Sequence, residues 1–292
     1  MSPARRRPTV AIIGPGAVGR TIGRLLRRAG FPVLVSGRRP ASARAAARWI
    51  GARHVPDPAE ASRRADWVLL TVPDDAIATV ARSMARAGAF QARPVVLHTS
   101  GLHSSAVLLH ARRAGASTGS IHPLHSFARP TASVRTFRGS ACTVEGDRRA
   151  IAAACRLARA IGGRPLPVDP TRKALYHAGA VLACNDLVAL YGAGLTLMRC
   201  AGLPRRDAER ALLGLVEGTV SNLRRAGCPG ALTGPVARGD TGTVRAHLRA
   251  LRRFPAFLPV YRAAGRLAVR LARDRGSLRE ADARRLARLL AP

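Results

Sequence analysis

One lysine stands among the 49 lysine and arginine residues of this 292-residue chain. A protein that carries its positive charge on arginine almost everywhere has no general stock of amines able to release a proton, so the exception, Lys173, calls for a chemical reason. Acids are scarce too: 16 Asp and Glu leave a formal net charge of +33. Aromatics are 4% of the residues. A nucleic-acid surface clusters its cations and interleaves rings on which bases stack. Here the arginines come as scattered pairs, such as Arg27-Arg28, Arg63-Arg64, Arg112-Arg113, Arg205-Arg206 and Arg252-Arg253, with no continuous basic segment. Net charge without a site speaks to association rather than to function. The excess of Arg, Ala, Gly and Pro over Lys reads as the codon bias of a high-GC genome, and nucleic acid is not expected as a partner.

The 5 cysteines, Cys142, Cys155, Cys184, Cys200 and Cys228, include no C-x-x-C pair, so neither a disulfide framework nor a metal site is indicated. Their apolar neighbours predict mostly buried thiols in a reducing, cytoplasmic setting. Long apolar runs are also missing. The start MSPARRRPTVAIIGPG opens like a secretory leader, yet its apolar run ends within a few residues at Gly14-Pro15-Gly16 and reads as a strand. Residues 174–198 alone approach membrane length, and they carry His177, Asn185 and Asp186. Such a helix fits a protein interior or a dimer interface better than a bilayer.

What is present is a hydrophobic content of 47%, enough for a sizeable core. Apolar runs at residues 9–13, 32–36, 67–72, 94–98, 117–121, 141–144 and 164–168 read as strands, and helical period fills 17–29, 41–50, 76–87, 105–113 and 148–161. The alternation predicts an α/β, Rossmann-like, doubly wound and mainly parallel sheet. Asp57-Pro58-Ala59-Glu60 reads as a capped helix start. Beyond 168 the strands stop. Asp169-Pro170 opens a long helix, and Gly202-Leu203-Pro204, a loop over 227–239 and Ser277-Leu278-Arg279-Glu280 punctuate an all-α remainder. The expected division is therefore 1–168 and 169–292.

Gly14-Pro15-Gly16-Ala17-Val18-Gly19 is a G-x-G-x-x-G between a strand and a helix. In that setting the first glycine allows a tight turn, the second lets the backbone approach a pyrophosphate, and the third packs helix on strand, with the helix N-terminus facing the anion. The end of the second strand chooses the dinucleotide. Ser36-Gly37-Arg38-Arg39 holds no carboxylate for ribose hydroxyls but two arginines for a 2′-phosphate, which predicts NADP, with Ser36, Arg38 and Arg39 around that phosphate. Val72-Pro73 would border the cofactor, with Asp74 as a helix cap.

Two polar clusters end later strands: His98-Thr99-Ser100-Gly101, and Ser120-Ile121-His122-Pro123-Leu124-His125-Ser126-Phe127. Open α/β sheets bind ligands at these edges. The motifs IHPLHSF at 121–127, VEGD at 144–147, K-x-x-Y-H at 173–177 and ALTGPVARGD at 231–240 resemble a bacterial family with a Rossmann-like domain followed by a helical domain of unknown function. More widely, the chain resembles the superfamily of 6-phosphogluconate and 3-hydroxyisobutyrate dehydrogenases, ketopantoate reductase and pyrroline-5-carboxylate reductase. That resemblance implies a catalytic lysine on the first long helix of the second domain, matched by Lys173. The asparagine expected one turn later is replaced by His177, while Asn185 falls on roughly the same side. It also implies a loop offering Thr233 and Arg238 to an acidic substrate group, and dimerisation through the helical domain. Together these expectations describe an NADP-dependent oxidoreductase of a small carbonyl or imine substrate. Lys173, His177, Ser100 and His122 would be catalytic, and His98, Asn185, Thr233 and Arg238 would bind substrate. The alternatives are a deazaflavin-linked NADP reductase and a non-catalytic dinucleotide-binding regulator.

Overall fold

The structure, a computed structural model, describes residues 6–292. Residues 1–5, where the leader-like start begins, lie outside the described residues. Packing divides the chain into two compact units, Met1–Ala183 and Cys184–Pro292.

The first unit is built on one eight-stranded sheet. Its strands are β1 (Val10–Ile13), β2 (Val33–Ser36), β3 (Arg53–His54), β4 (Trp67–Leu70), β5 (Val95–His98), β6 (Ser117–Pro123), β7 (Ala141–Gly146) and β8 (Arg164–Pro167). Their order is β3-β2-β1-β4-β5-β6-β7-β8. Every neighbouring pair is parallel except β6 and β7. Helices α1 (Ala17–Arg28), α2 (Pro40–Ile50), α3 (Pro58–Arg63), α4 (Ile77–Arg86), α5 (Leu109–Arg113), α6 (Pro130–Thr136) and α7 (Arg148–Ala160) complete the wound layers.

Strand alternation sorts the core into two layers. Val10 and Ile12 pack with Ile22 and Leu26 of α1, Ile50 of α2 and Leu157 of α7. Ala11 and Ile13 face Ala59 of α3, Ile77, Ala81 and Met84 of α4, and Ala111 of α5. Ile12, Ile22 and Ile50 are fully buried, and each such side chain contributes roughly 1.5–3 kcal/mol. Two elements were not expected. β3 is only two residues long, too short for a period, and α6 buries just Ser133 and Val134, too little for an apolar stripe.

The polar row that matters follows from register. Ile13 pairs with Leu70, Leu70 with His98, His98 with Ser120, and Ser120 with Glu145. Paired residues share a face, so His98, Ser120 and Glu145 stand side by side on the layer of Ile13 and Leu70. His122 and Thr143, a second pair two residues away, stand on that face as well.

After Asp169, whose carboxylate accepts from the Thr171 amide, the chain enters α8 (Lys173–Cys200). The remaining helices are α9 (Arg205–Ala231), α10 (Thr241–Leu251), α11 (Leu258–Asp274) and α12 (Glu280–Leu289). Val236, Val244, Val269, Leu278, Leu286 and Leu290 form the second unit's own core. Where a loop was expected from 227, α9 kinks at Gly227 (φ 69°) and runs on to Ala231. Asp240 caps α10 by accepting from the Thr243 amide.

Two further expectations are corrected. Pro170–Cys200 is long and apolar enough to cross a membrane, and its apolar window is not buried within the chain: Leu175, Leu182 and Val188 are exposed, so the helix is not an interior one. Of the cysteines only Cys142 is buried, its thiol pushed up to about 12 by desolvation; Cys155 is half-buried and Cys184, Cys200 and Cys228 are exposed. Helical exposure there follows from outward positions that an apolar neighbourhood in sequence does not reveal.

Candidate active site

The first turn of α1 has free amides. Gly16 is its N-cap, no side chain caps it, and the turn holds no acid, so the terminal N–H groups are left for an anion. The three glycines divide their work as the motif requires. Gly14 takes φ +88°, where a Cβ would strike Val72. Gly19 lies against the Thr71 side chain and Ile12, leaving no space for a methyl. A Cβ on Gly16 would meet nothing within 4 Å. Thr71 locks the turn by donating to the Gly14 carbonyl at 2.6 Å.

These residues open on a cleft of about 1200 Å³. Gly14, Gly16, Ala17, Arg38, Arg39, Val72 and Pro73 line it, together with Arg20 and Ser42. Val18 packs toward the core instead. Ser36 does not reach the cleft: it is fully buried and its hydroxyl donates to the Pro56 carbonyl at 3.2 Å. Its place at the strand end turns it inward, which corrects its expected position at the phosphate. No carboxylate lines the cleft at the end of β2. The residues present therefore fit a dinucleotide: amides for the pyrophosphate, open space at Gly16, and arginines beyond the second strand.

The second cluster lies along the edge of β5, β6 and β7. Lys173, the first residue of α8, is 1% exposed. Its Nζ donates to the Ser120 hydroxyl at 2.7 Å and to the Ser100 carbonyl at 3.0 Å, and it lies 3.6 Å from Glu145 Oε1. Glu145 also accepts from the Ser105 amide at 2.9 Å and the Ser105 hydroxyl at 2.7 Å. Ser100 donates to Asp74 at 2.6 Å while accepting from the amides of Leu102 and His103. Asp74 thus caps no helix; it braces the chain between β5 and α5. Its neighbours Pro73 and Asp75 line the dinucleotide cleft.

One turn along α8, Tyr176 places its hydroxyl 2.7 Å from His122 Nδ1 and receives a hydrogen bond from Thr143 at 3.2 Å. The ring of His177 lies 5.7 Å from that of His122, both beside Gly101, where a Cβ would strike them. Lys173, Tyr176 and His177 come from one turn and a little more of helix, which is why they converge.

Burial first, then the Lys173 charge, pulls His98 down to about 3; burial, then His177 and Lys173, pulls His122 down to about 4. Both imidazoles are neutral at pH 7. The Ser100 amide donates to His98 Nδ1, which puts the ring proton on a buried Nε2 with no partner among the described residues. Burial lowers Lys173 against the pull of Glu145, and raises Tyr176. The sheet and α8 thus bring together Lys173, Ser100, His98, His122 and His177, with Glu145, Tyr176, Thr143 and Asp74 added. Glu145 was readable as an acid inside a strand of VEGD, and Tyr176 as the unassigned middle of K-x-x-Y-H. Asn185, Thr233 and Arg238 are exposed residues of the second unit.

No curated protein matches the chain. A Rossmann-like domain model matches residues 2–123 and a domain of unknown function, DUF2520, matches 140–268. A solved protein of Thermotoga maritima is 25% identical, with 91% of this chain and 98% of that one covered at a TM-score of 0.71. An imine reductase from a Pseudomonas species is 18% identical over 95% and 90% at 0.60. A pyrroline carboxylate reductase of Plasmodium falciparum, solved with NADP bound, is 10% identical over 99% and 100% at 0.61. The chain shares their fold, and it joins a Rossmann-like domain to a DUF2520 domain.

Proposed function

We propose that the protein is an NADP-dependent reductase of a small carbonyl or imine compound. The observations that carry this reading are a glycine-opened, arginine-flanked cleft, free of acid at β2, and a cluster of neutral histidines at neighbouring strand ends. The cluster is linked to the cleft wall through Asp74, which accepts from Ser100 and sits between the lining residues Pro73 and Asp75. The amides of Ala17 and its successors would hold the pyrophosphate, and Arg38 and Arg39 the 2′-phosphate. Bound there, the reduced nicotinamide supplies hydride. His122, half-buried and neutral, would donate a hydrogen bond to the substrate atom on which negative charge develops, with His177 beside it. Lys173 would act through its neighbours: its sealed amine fixes the Ser100 carbonyl and the Ser120 hydroxyl, and its charge adds to the burial that lowers both histidines.

We further propose a cytoplasmic homodimer assembled on the exposed apolar residues Leu175, Leu182, Val188, Leu213 and Leu215 of α8 and α9, with no role for nucleic acid or membrane. Fluorescence titration with NADPH and NADH tests the cofactor: NADPH should bind at least about tenfold tighter, and replacing Arg38 and Arg39 together by Ala should abolish the difference. Equal affinities in the unaltered protein would refute NADP preference. Assay of NADPH oxidation against keto acids, cyclic imines and a deazaflavin then tests the substrate class.

A further inference from the structure

The cluster contains a hydroxyl that the reductase reading leaves idle. Tyr176 is half-buried, and its hydroxyl meets two groups: Thr143, which donates to it, and His122 Nδ1, at 2.7 Å. The Thr143 proton is shared between the Tyr176 oxygen at 3.2 Å and the His122 carbonyl at 3.5 Å. At 2.7 Å the phenol, a stronger donor than an aliphatic hydroxyl, faces a neutral imidazole nitrogen, the stronger acceptor of the set, so the tyrosine's own proton is directed at His122. A neutral imidazole that accepts at Nδ1 carries its proton at Nε2. That Nε2 has no hydrogen-bond partner among the described residues and is not one of the sealed unpartnered atoms. The ring therefore has a proton source on its inner side and a free donor on the other.

Resting on the reductase reading, we propose that Tyr176 is the proton reservoir of the reaction and His122 its relay. As the substrate carbon gains hydride and its C=O or C=N π pair moves to the heteroatom, the His122 Nε2–H bond breaks and the heteroatom–H bond forms. In the same step the Tyr176 O–H bond breaks and an Nδ1–H bond forms on His122. The nicotinamide is oxidised, the substrate is reduced, and the negative charge comes to rest on the phenolate, where the Thr143 hydroxyl donates to it. Water then returns one proton to Nε2 as Nδ1 gives its proton back to the phenolate. The other charged or titratable groups facing this pair are Lys173, Asp74, His177 and Cys142. The two rings meet edge to face with centroids 5.7 Å apart, so Tyr176→Phe removes the hydroxyl and keeps the packing.

Two measurements test the relay. In the holoprotein at pH 7, nitrogen NMR of His122 should show a neutral ring protonated at Nε2, and Y176F should lose that preference; an Nδ1-protonated or doubly protonated ring in the unaltered protein overturns the proposal. On any carbonyl or imine the protein reduces, Y176F should lower kcat about 10²–10⁴-fold. NADPH affinity should stay unchanged, and a solvent-isotope response showing two protons in flight should become one. Unchanged kcat in Y176F defeats the relay alone. An unaltered protein that binds NADPH and reduces nothing in the panel defeats the reductase reading, and the relay with it.

Discussion

Replacing Lys173 by Met would remove the only cation within reach of Glu145 among the described residues, while keeping a side chain of similar length. Glu145 is 3% exposed and would retain only the Ser105 amide and hydroxyl. Breaking one side of a buried pair leaves an uncompensated charge and costs roughly 3–5 kcal/mol. Glu145→Gln should cost a similar amount, because Lys173 would keep only the Ser100 carbonyl and Ser120 hydroxyl. The double variant leaves no orphan charge and should be more stable than the sum of the two losses by about 2–4 kcal/mol. Lys173→Arg should also destabilise, since a guanidinium needs more space than a sealed amine vacates. Both tryptophans, Trp49 and Trp67, belong to the first unit, so tryptophan fluorescence in urea follows that unit. With m near 2 kcal/mol/M, midpoints of the single variants should fall by roughly 1.5–2.5 M. Strictly additive losses in the double variant would refute the ion pair, and unaltered midpoints would refute the burial.

His98 and His122 should make the fold acid-sensitive. Their folded values, about 3 and about 4, lie below the ordinary 6.5, so the unfolded chain takes up protons first and stability, complete above about pH 6.5, declines as pH falls. Between 6.5 and 4 each histidine contributes about 1.4 kcal/mol per pH unit to that loss; a flat stability profile across this range would refute their neutrality. Gly19→Ala should weaken dinucleotide binding and lower stability by about 1–3 kcal/mol, because the methyl would meet Thr71 and Ile12; thermal unfolding with and without NADPH measures both. Gly16→Ala should leave stability almost unaltered, since its Cβ faces open space, and a large stability loss there would contradict the loop geometry.

The alternation of Val, Ile and Leu runs with helical stretches made the sheet legible, because strands buried on both faces carry a signal in composition alone. The glycine loop was legible because each glycine has a separate steric duty. The reacting cluster was legible only in part. Lys173 stood out as a lone amine, and the histidines stood out at strand ends, but pairing decides what each can do. Ser120 and Glu145 meet only through the antiparallel register of β6 and β7, which no local pattern announces. The same holds for Ser36: a strand terminus was readable, its inward turn was not. Exposure of the α8 leucines escaped because a helix apolar around most of its circumference carries no sidedness.

The compact first unit reaches Ala183, so the opening turns of α8 travel with the sheet. A fragment ended at 168, where the last strand would suggest cutting, lacks the amine that neutralises the acid of VEGD, and should be recovered unfolded or insoluble. One ended at 183, where the compact unit closes, retains it and is expected to fold independently and bind the nucleotide.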